Sequence, residues 1–104
     1  MSEKILTIET INVALTPVFI EHGVKEAILF GSYAKGNARE NSDIDIYVDS
    51  GLKGLSFFGL LEDMVMTLGK QIDLIDVSQI KPNSKLFNEI KEYGVTIYEY
   101  KRNM

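Results

Sequence analysis

Ala27-Ile28-Leu29-Phe30-Gly31-Ser32-Tyr33-Ala34-Lys35-Gly36, followed after a five-residue gap by Ser42-Asp43-Ile44-Asp45-Ile46-Tyr47-Val48, is the stretch from which the rest of the chain is read. Four apolar residues running into Gly31 read as a short buried strand, so a glycine-serine turn stands at a strand exit. Ile44, Ile46 and Val48 alternate with Asp43, Asp45 and Tyr47, the period of a half-buried strand. Asp43 and Asp45 therefore leave one face about 7 Å apart along the backbone and can converge on one cation or a pair of them. Close carboxylates raise one another's pKa by repulsion, which is why such pairs imply a metal, a shared proton or a basic partner. Each half also has a plain explanation: aspartates are ordinary on a solvated strand face, and a tight strand exit needs glycine freedom.

Outward from this segment the elements alternate. Ile8, Ile11, Leu15, Val18 and Phe19 recur at helical spacing and Gly23 follows, which predicts a first helix over roughly 8 to 22. Beyond Val48, residues Phe57, Leu60, Leu61, Met64, Val65 and Leu68 keep the i, i+3, i+4, i+7 pattern, with Ser56 expected to cap and Gly69 to terminate. Gln71 to Val77 reads as a third strand carrying Asp73 between Ile72 and Leu74. Pro82-Asn83-Ser84 opens a last helix through Leu86, Phe87, Ile90 and Tyr93, closed by Gly94, and Val95 to Tyr100 reads as a terminal strand. The predicted order is αββαβαβ, a mixed α/β (α+β) fold of about four strands and three to four helices in a single domain, 1–104.

Composition narrows the chemistry. The 104 residues hold no cysteine and one histidine, His22, so disulfides, thiolate zinc sites, thiol catalysis and a multi-histidine metal site are excluded within the chain. Any metal must be bound by oxygen. Eleven Lys plus Arg against 15 Asp plus Glu leave a net charge of -4, which argues against direct, non-specific nucleic-acid binding. The apolar runs are short and Met1-Ser2-Glu3-Lys4 has no leader character, so no membrane association and a cytoplasmic location are expected. His22 reads as a helix-end residue. Tyr98 and Tyr100 with Lys101 and Arg102 read as an edge strand and its end.

Two motif explanations fail. Gly31 to Gly36 has Walker A spacing, but Asn37-Ala38 follows where Lys and Ser or Thr are required. An EF-hand starting at Asp43 or Asp45 lacks a glycine at the sixth loop position, and its isoleucines alternate as in a strand.

The joint pattern G-S-x-A-x-G, five residues, S-D-x-D, then a strand carboxylate at Asp73, closely resembles the nucleotidyltransferase superfamily of the DNA polymerase beta type, in particular its minimal (MNT) members, over nearly the full chain. The resemblance implies that Gly31 and Ser32 form the triphosphate-binding turn, joined by Lys35 and Ser42. It makes Asp43, Asp45 and Asp73 the catalytic carboxylates and ligands of two Mg2+ ions. Asp76 competes with Asp73, but three residues along it falls on the other strand face. Many relatives have Arg at the place of Lys35, and a point charge replaces a bidentate fork there.

The implied function is transfer of a nucleoside monophosphate, AMP from ATP as donor, to a hydroxyl. Because the elements use nearly the whole chain, the acceptor is expected to bring its own surface. Minimal members are commonly paired with HEPN-domain toxins, so the expected partner is a HEPN protein, the expected acceptor its tyrosine, and the expected role that of antitoxin. A non-catalytic antitoxin acting by binding alone, and a small-molecule transferase of the aminoglycoside kind, are the alternatives. Homo- and hetero-oligomers are both open.

Overall fold

Helix α1, Ile8–Glu21, begins where the Thr7 side chain accepts the Thr10 N–H at 3.0 Å. It ends at His22 and Gly23, whose φ of 72° lets the Val24 N–H return to the Phe19 carbonyl at 3.0 Å. In the computed structural model, which describes residues 5–101, this helix is followed by β1 (Glu26–Phe30), α2 (Gly31–Lys35), β2 (Ile44–Asp49), α3 (Leu55–Leu68), β3 (Ile72–Asp76), a short 3-10 turn (Val77–Gln79), α4 (Lys85–Tyr93) and β4 (Val95–Glu99). Arg102 lies outside the described residues.

Two local expectations are corrected. The glycine-serine turn is the opening of a helix, α2, only five residues long and stopped by Gly36 at φ 80°; a single turn is too short to show a 3.6-residue period. Ser56 is not the cap of α3. The helix starts at Leu55 after Gly54, which sits at φ 60° with no side-chain cap bond, so the glycine's backbone freedom turns the chain where a serine hydroxyl was expected to hold it.

The strands form one sheet in the order β3-β2-β1-β4. β1 runs antiparallel to both β2 and β4, while β2 and β3 are parallel, joined by α3 as a crossover. β4 is an edge strand, as expected. Its pairing shifts between Ala27, opposite Tyr98, and Ile28, opposite Thr96, so Ile97 is an extra residue. The bulge lets Ile97 and Tyr98 both pack on the same core, where the Tyr98 and Phe19 ring centroids are 5.5 Å apart.

The two sheet faces are covered differently. Ala27, Leu29, Ile44, Ile46, Val48 and Ile72 meet Ile11, Leu15 and Phe19 of α1 and Leu60 and Met64 of α3 in the main core. Truncating one such side chain to alanine costs about 2–5 kcal/mol. His22 fastens α1 to α3, with its Nε2 2.6 Å from Asp63 Oδ2; it is structural, as its place at the helix end suggested. The opposite face carries a smaller cluster of Ile28, Tyr47 and Ile90, the last from α4. No helix among the described residues is long and apolar enough to cross a membrane.

Candidate active site

The period-2 alternation that buries Ile44 and Ile46 in the main core turns Asp45 to the opposite face. There Asp45 pairs in register with Phe30 of β1 on one side and Asp73 of β3 on the other. Parallel pairing thus places Asp45 and Asp73 beside each other at the start of two strands, with Asp43 just before β2. The next residue after Phe30 is Gly31, at φ 73°, and a Cβ there would overlap the Asp45 carboxylate. Glycine is required twice over, by its dihedral angle and by the carboxylate lying against it.

This crowding has an electrostatic cost. Burial, followed by repulsion from Asp73, Asp43 and Glu89, pushes the Asp45 carboxyl up from 3.8 to about 6. A cluster with excess negative charge and hard oxygen donors suits a divalent cation such as Mg2+. Among the described residues, no three His, Cys, Asp or Glu side chains are gathered closely enough to grip a metal as they stand. Asp43, Asp45 and Asp73 are the oxygen donors that would hold such an ion.

The residues expected on the phosphate side, Ser32, Lys35 and Ser42, lie in α2 and in the loop that leads into β2. Ser32 occupies the first turn of α2, whose leading N–H groups have no intrahelical acceptor. Ser42 shapes the approach to β2, its Oγ accepting the Arg39 N–H at 2.8 Å and its N–H returning to the Arg39 carbonyl at 3.0 Å. Lys35 Nζ lies 3.3 Å from Glu89 Oε2 and 5.9 Å from the Tyr93 ring centroid, both on α4. Arg39 stays on an exposed loop.

Asp76 is set apart, as its parity indicated. It is 4% exposed and accepts four hydrogen bonds, from the N–H and Oγ of Ser50 at 3.0 and 2.6 Å and from the N–H and Oγ of Ser78 at 3.0 and 2.7 Å. Burial pushes its carboxyl up, but these donors outweigh it and hold the group below the usual range.

Glu89 and Tyr93 were not singled out from the sequence. The available signal was their i, i+4 spacing on a helix whose apolar side, Phe87 and Ile90, must meet the sheet. What the spacing lacked was the face of the sheet.

A mixed sheet with paired aspartates beside a glycine-opened helix has the arrangement expected of the nucleotidyltransferase fold. Residues 14–103 match the family model described as polymerase beta, nucleotidyltransferase, and the chain belongs to that enzyme family. Protein adenylyltransferase MntA of Thermococcus cleftensis is 40% identical over 82 residues, spanning 73% of this chain and 83% of that protein. A candidate protein adenylyltransferase of Methanocaldococcus jannaschii is 36% identical over 89 residues, 81% of this chain and 95% of that protein. Among solved structures, a toxin-antitoxin with AMP-PNP aligns at a TM-score of 0.73 with 22% identity, covering 86% of this chain and 74% of that one. The Shewanella oneidensis tri-AMPylated HEPN toxin in complex with its MNT antitoxin aligns at 0.68 with 18% identity, covering 90% and 74%. At those identities the likeness is one of fold.

Proposed function

We propose that this chain is a magnesium-dependent protein adenylyltransferase that moves AMP from ATP onto a tyrosine hydroxyl of a HEPN-domain partner, and so acts as an antitoxin. The observation that carries the reading is Asp45 set between Gly31 and Asp73. It joins a phosphate-accepting backbone to paired carboxylates in one place. The relatives named as protein adenylyltransferases, and the fold neighbours solved as toxin-antitoxin complexes, support a protein acceptor and a HEPN-type partner.

In this reading Asp43, Asp45 and Asp73 would hold two ions. Magnesium, when bound, neutralises charge developing at the α-phosphate. The N–H groups at the start of α2 and the Ser32 hydroxyl hold the departing phosphates, while Lys35 balances their charge. Ser42 fixes the loop that delivers Asp43. Asp73, exposed at the start of β3, takes the proton from the acceptor hydroxyl as its oxygen bonds to the α-phosphorus. The bond from that phosphorus to the bridging oxygen breaks, and pyrophosphate leaves.

The test is incubation of the chain with α-labelled ATP, Mg2+ and a purified HEPN-domain partner. Label is expected on the partner's tyrosine and is expected to disappear when Asp43→Asn and Asp45→Asn are combined. Absence of transfer from the natural sequence, or transfer undiminished in the double variant, would sink the enzymatic reading. Lys35, standing where many relatives have Arg, keeps one competitor open, an antitoxin that neutralises by binding alone. That alternative requires the double variant to protect cells from the toxin as well as the natural sequence does.

A further inference from the structure

We infer that Glu89 and Tyr93 of α4 are positioning residues for the donor site, holding the Lys35 ammonium where the triphosphate arrives. The inference rests on the nucleotide-binding reading above. Lys35 follows Gly31 by four residues and Ser32 by three, so its side chain shares their side of α2 and leans back toward the first turn. A half-exposed lysine on a five-residue helix would otherwise sample many rotamers.

Two contacts from one helix restrict it. The Glu89 carboxylate lies 3.3 Å from Nζ, and the Tyr93 ring centroid lies 5.9 Å away, within cation–π range. Glu89 and Tyr93 are i, i+4 neighbours, and between them Ile90, 1% exposed, is packed against Ile28 and Tyr47 on the carboxylate face of the sheet. The clamp is therefore anchored on the sheet face that bears Asp45, chiefly through β1, the strand that runs into Gly31. Glu89 also adds, last among the causes, to the negative field at Asp45, so this turn of α4 faces the same side of the sheet.

The sign of the effect separates positioning from plain electrostatics. A glutamate near a polyanion site opposes nucleotide binding if it acts only through its charge, so its removal would tighten binding. If it acts through Lys35, its removal weakens binding.

The experiment is calorimetric titration of the whole chain with AMP-PNP in Mg2+, accompanied by thermal melts of every variant. Glu89→Ala is expected to raise Kd roughly three- to fivefold. Tyr93→Leu is expected to raise it to a similar degree, with affinity restored in Tyr93→Phe, which keeps the ring. In a Lys35→Met background, Glu89→Ala is expected to add no further loss. Lys91→Ala, on the same helix but packed over Phe87, controls for charge and helix stability. An unchanged or lowered Kd in Glu89→Ala, or an equal rise in the Lys35→Met background, overturns the clamp. If the natural sequence itself fails to bind AMP-PNP, the nucleotide-binding reading falls and the clamp with it; binding by the natural sequence with unaffected variants defeats the clamp alone.

Discussion

The two ends of the β2–β3 pair carry the same kind of side chain and treat it in opposite ways. At the start, Asp45 and Asp73 stand in register with Asp43 close by, and the group at the centre is pushed up to about 6. At the far end, Asp76 is paired in register with Val48, is almost fully buried, and accepts four hydrogen bonds that hold its carboxyl below the ordinary range. Asp76 is satisfied by the protein itself and has nothing left to offer a ligand. Asp45 is repelled by its neighbours, an arrangement that a bound cation would relieve. Burial alone does not separate a structural carboxylate from a functional one; the donors around it do.

The largest expected break in this contrast is chemical. Asp45→Asn should lower AMP transfer at least about a thousandfold in the labelled-ATP assay, since it removes a central ligand of the transferring group's counter-charge. The same variant should melt a few degrees higher than the natural sequence at pH 7 without Mg2+, because a repelled carboxylate has been neutralised. A lower melting temperature would contradict the account of Asp45 as a site held under electrostatic strain.

Asp76→Ala should do the reverse. Urea unfolding is expected to show a loss of about 2–4 kcal/mol, as the buried Ser50 and Ser78 donors lose their acceptor. Affinity for AMP-PNP per folded molecule should stay within twofold of the natural sequence, roughly the scatter expected of a distant site.

Gly31→Ala tests the boundary between the two behaviours. The new Cβ meets both a positive φ and the Asp45 carboxylate, so a loss of about 1–3 kcal/mol is expected in the same unfolding assay. AMP-PNP binding should fall with it. Retained binding would mean that the start of α2 is not a phosphate contact.

The smallest effect is in pH dependence. Asp45 has a folded-state pKa raised from 3.8 to about 6, so the folded protein holds more protons than the unfolded chain between those values. Metal-free stability from this group is present below about pH 4 and is lost as pH rises through 6. Asp76, lowered, contributes stability present above its ordinary pKa and lost as pH falls below about 4. Unfolding series from pH 3 to 7 should show the first trend abolished in Asp45→Asn and the second in Asp76→Ala.

Much of this contrast could be read before the fold was known, because strand parity alone assigns Asp43 and Asp45 to one face and separates Asp73 from Asp76. The helical stripes of α1 and α3 were equally open to reading, being long enough for several turns of period. Short elements were not: α2 offers one turn, and the start of α3 depends on a glycine dihedral that composition does not reveal. Nor could pairing across the chain be read. Nothing local to Lys35 points to Glu89 or Tyr93, and nothing local to His22 points to Asp63, since both contacts exist only once the helices have chosen their sides of the sheet. Parity says which residues share a strand face, and only packing says what lies opposite.

The close approach of Gly31 to Asp45 also has a meaning for descent. While Asp45 is kept, Gly31 has no acceptable replacement; once Asp45 is exchanged for a smaller residue, the steric half of that constraint is lifted, while the φ of 73° still favours glycine. A lineage that abandoned transfer would be released first at position 45, whereas Asp76 and its serines would be kept in active and silent descendants alike. On the proposed reading, retention of Asp45 beside Gly31 reflects selection on chemistry, whereas glycine at position 31 answers to folding as well, through its φ of 73°.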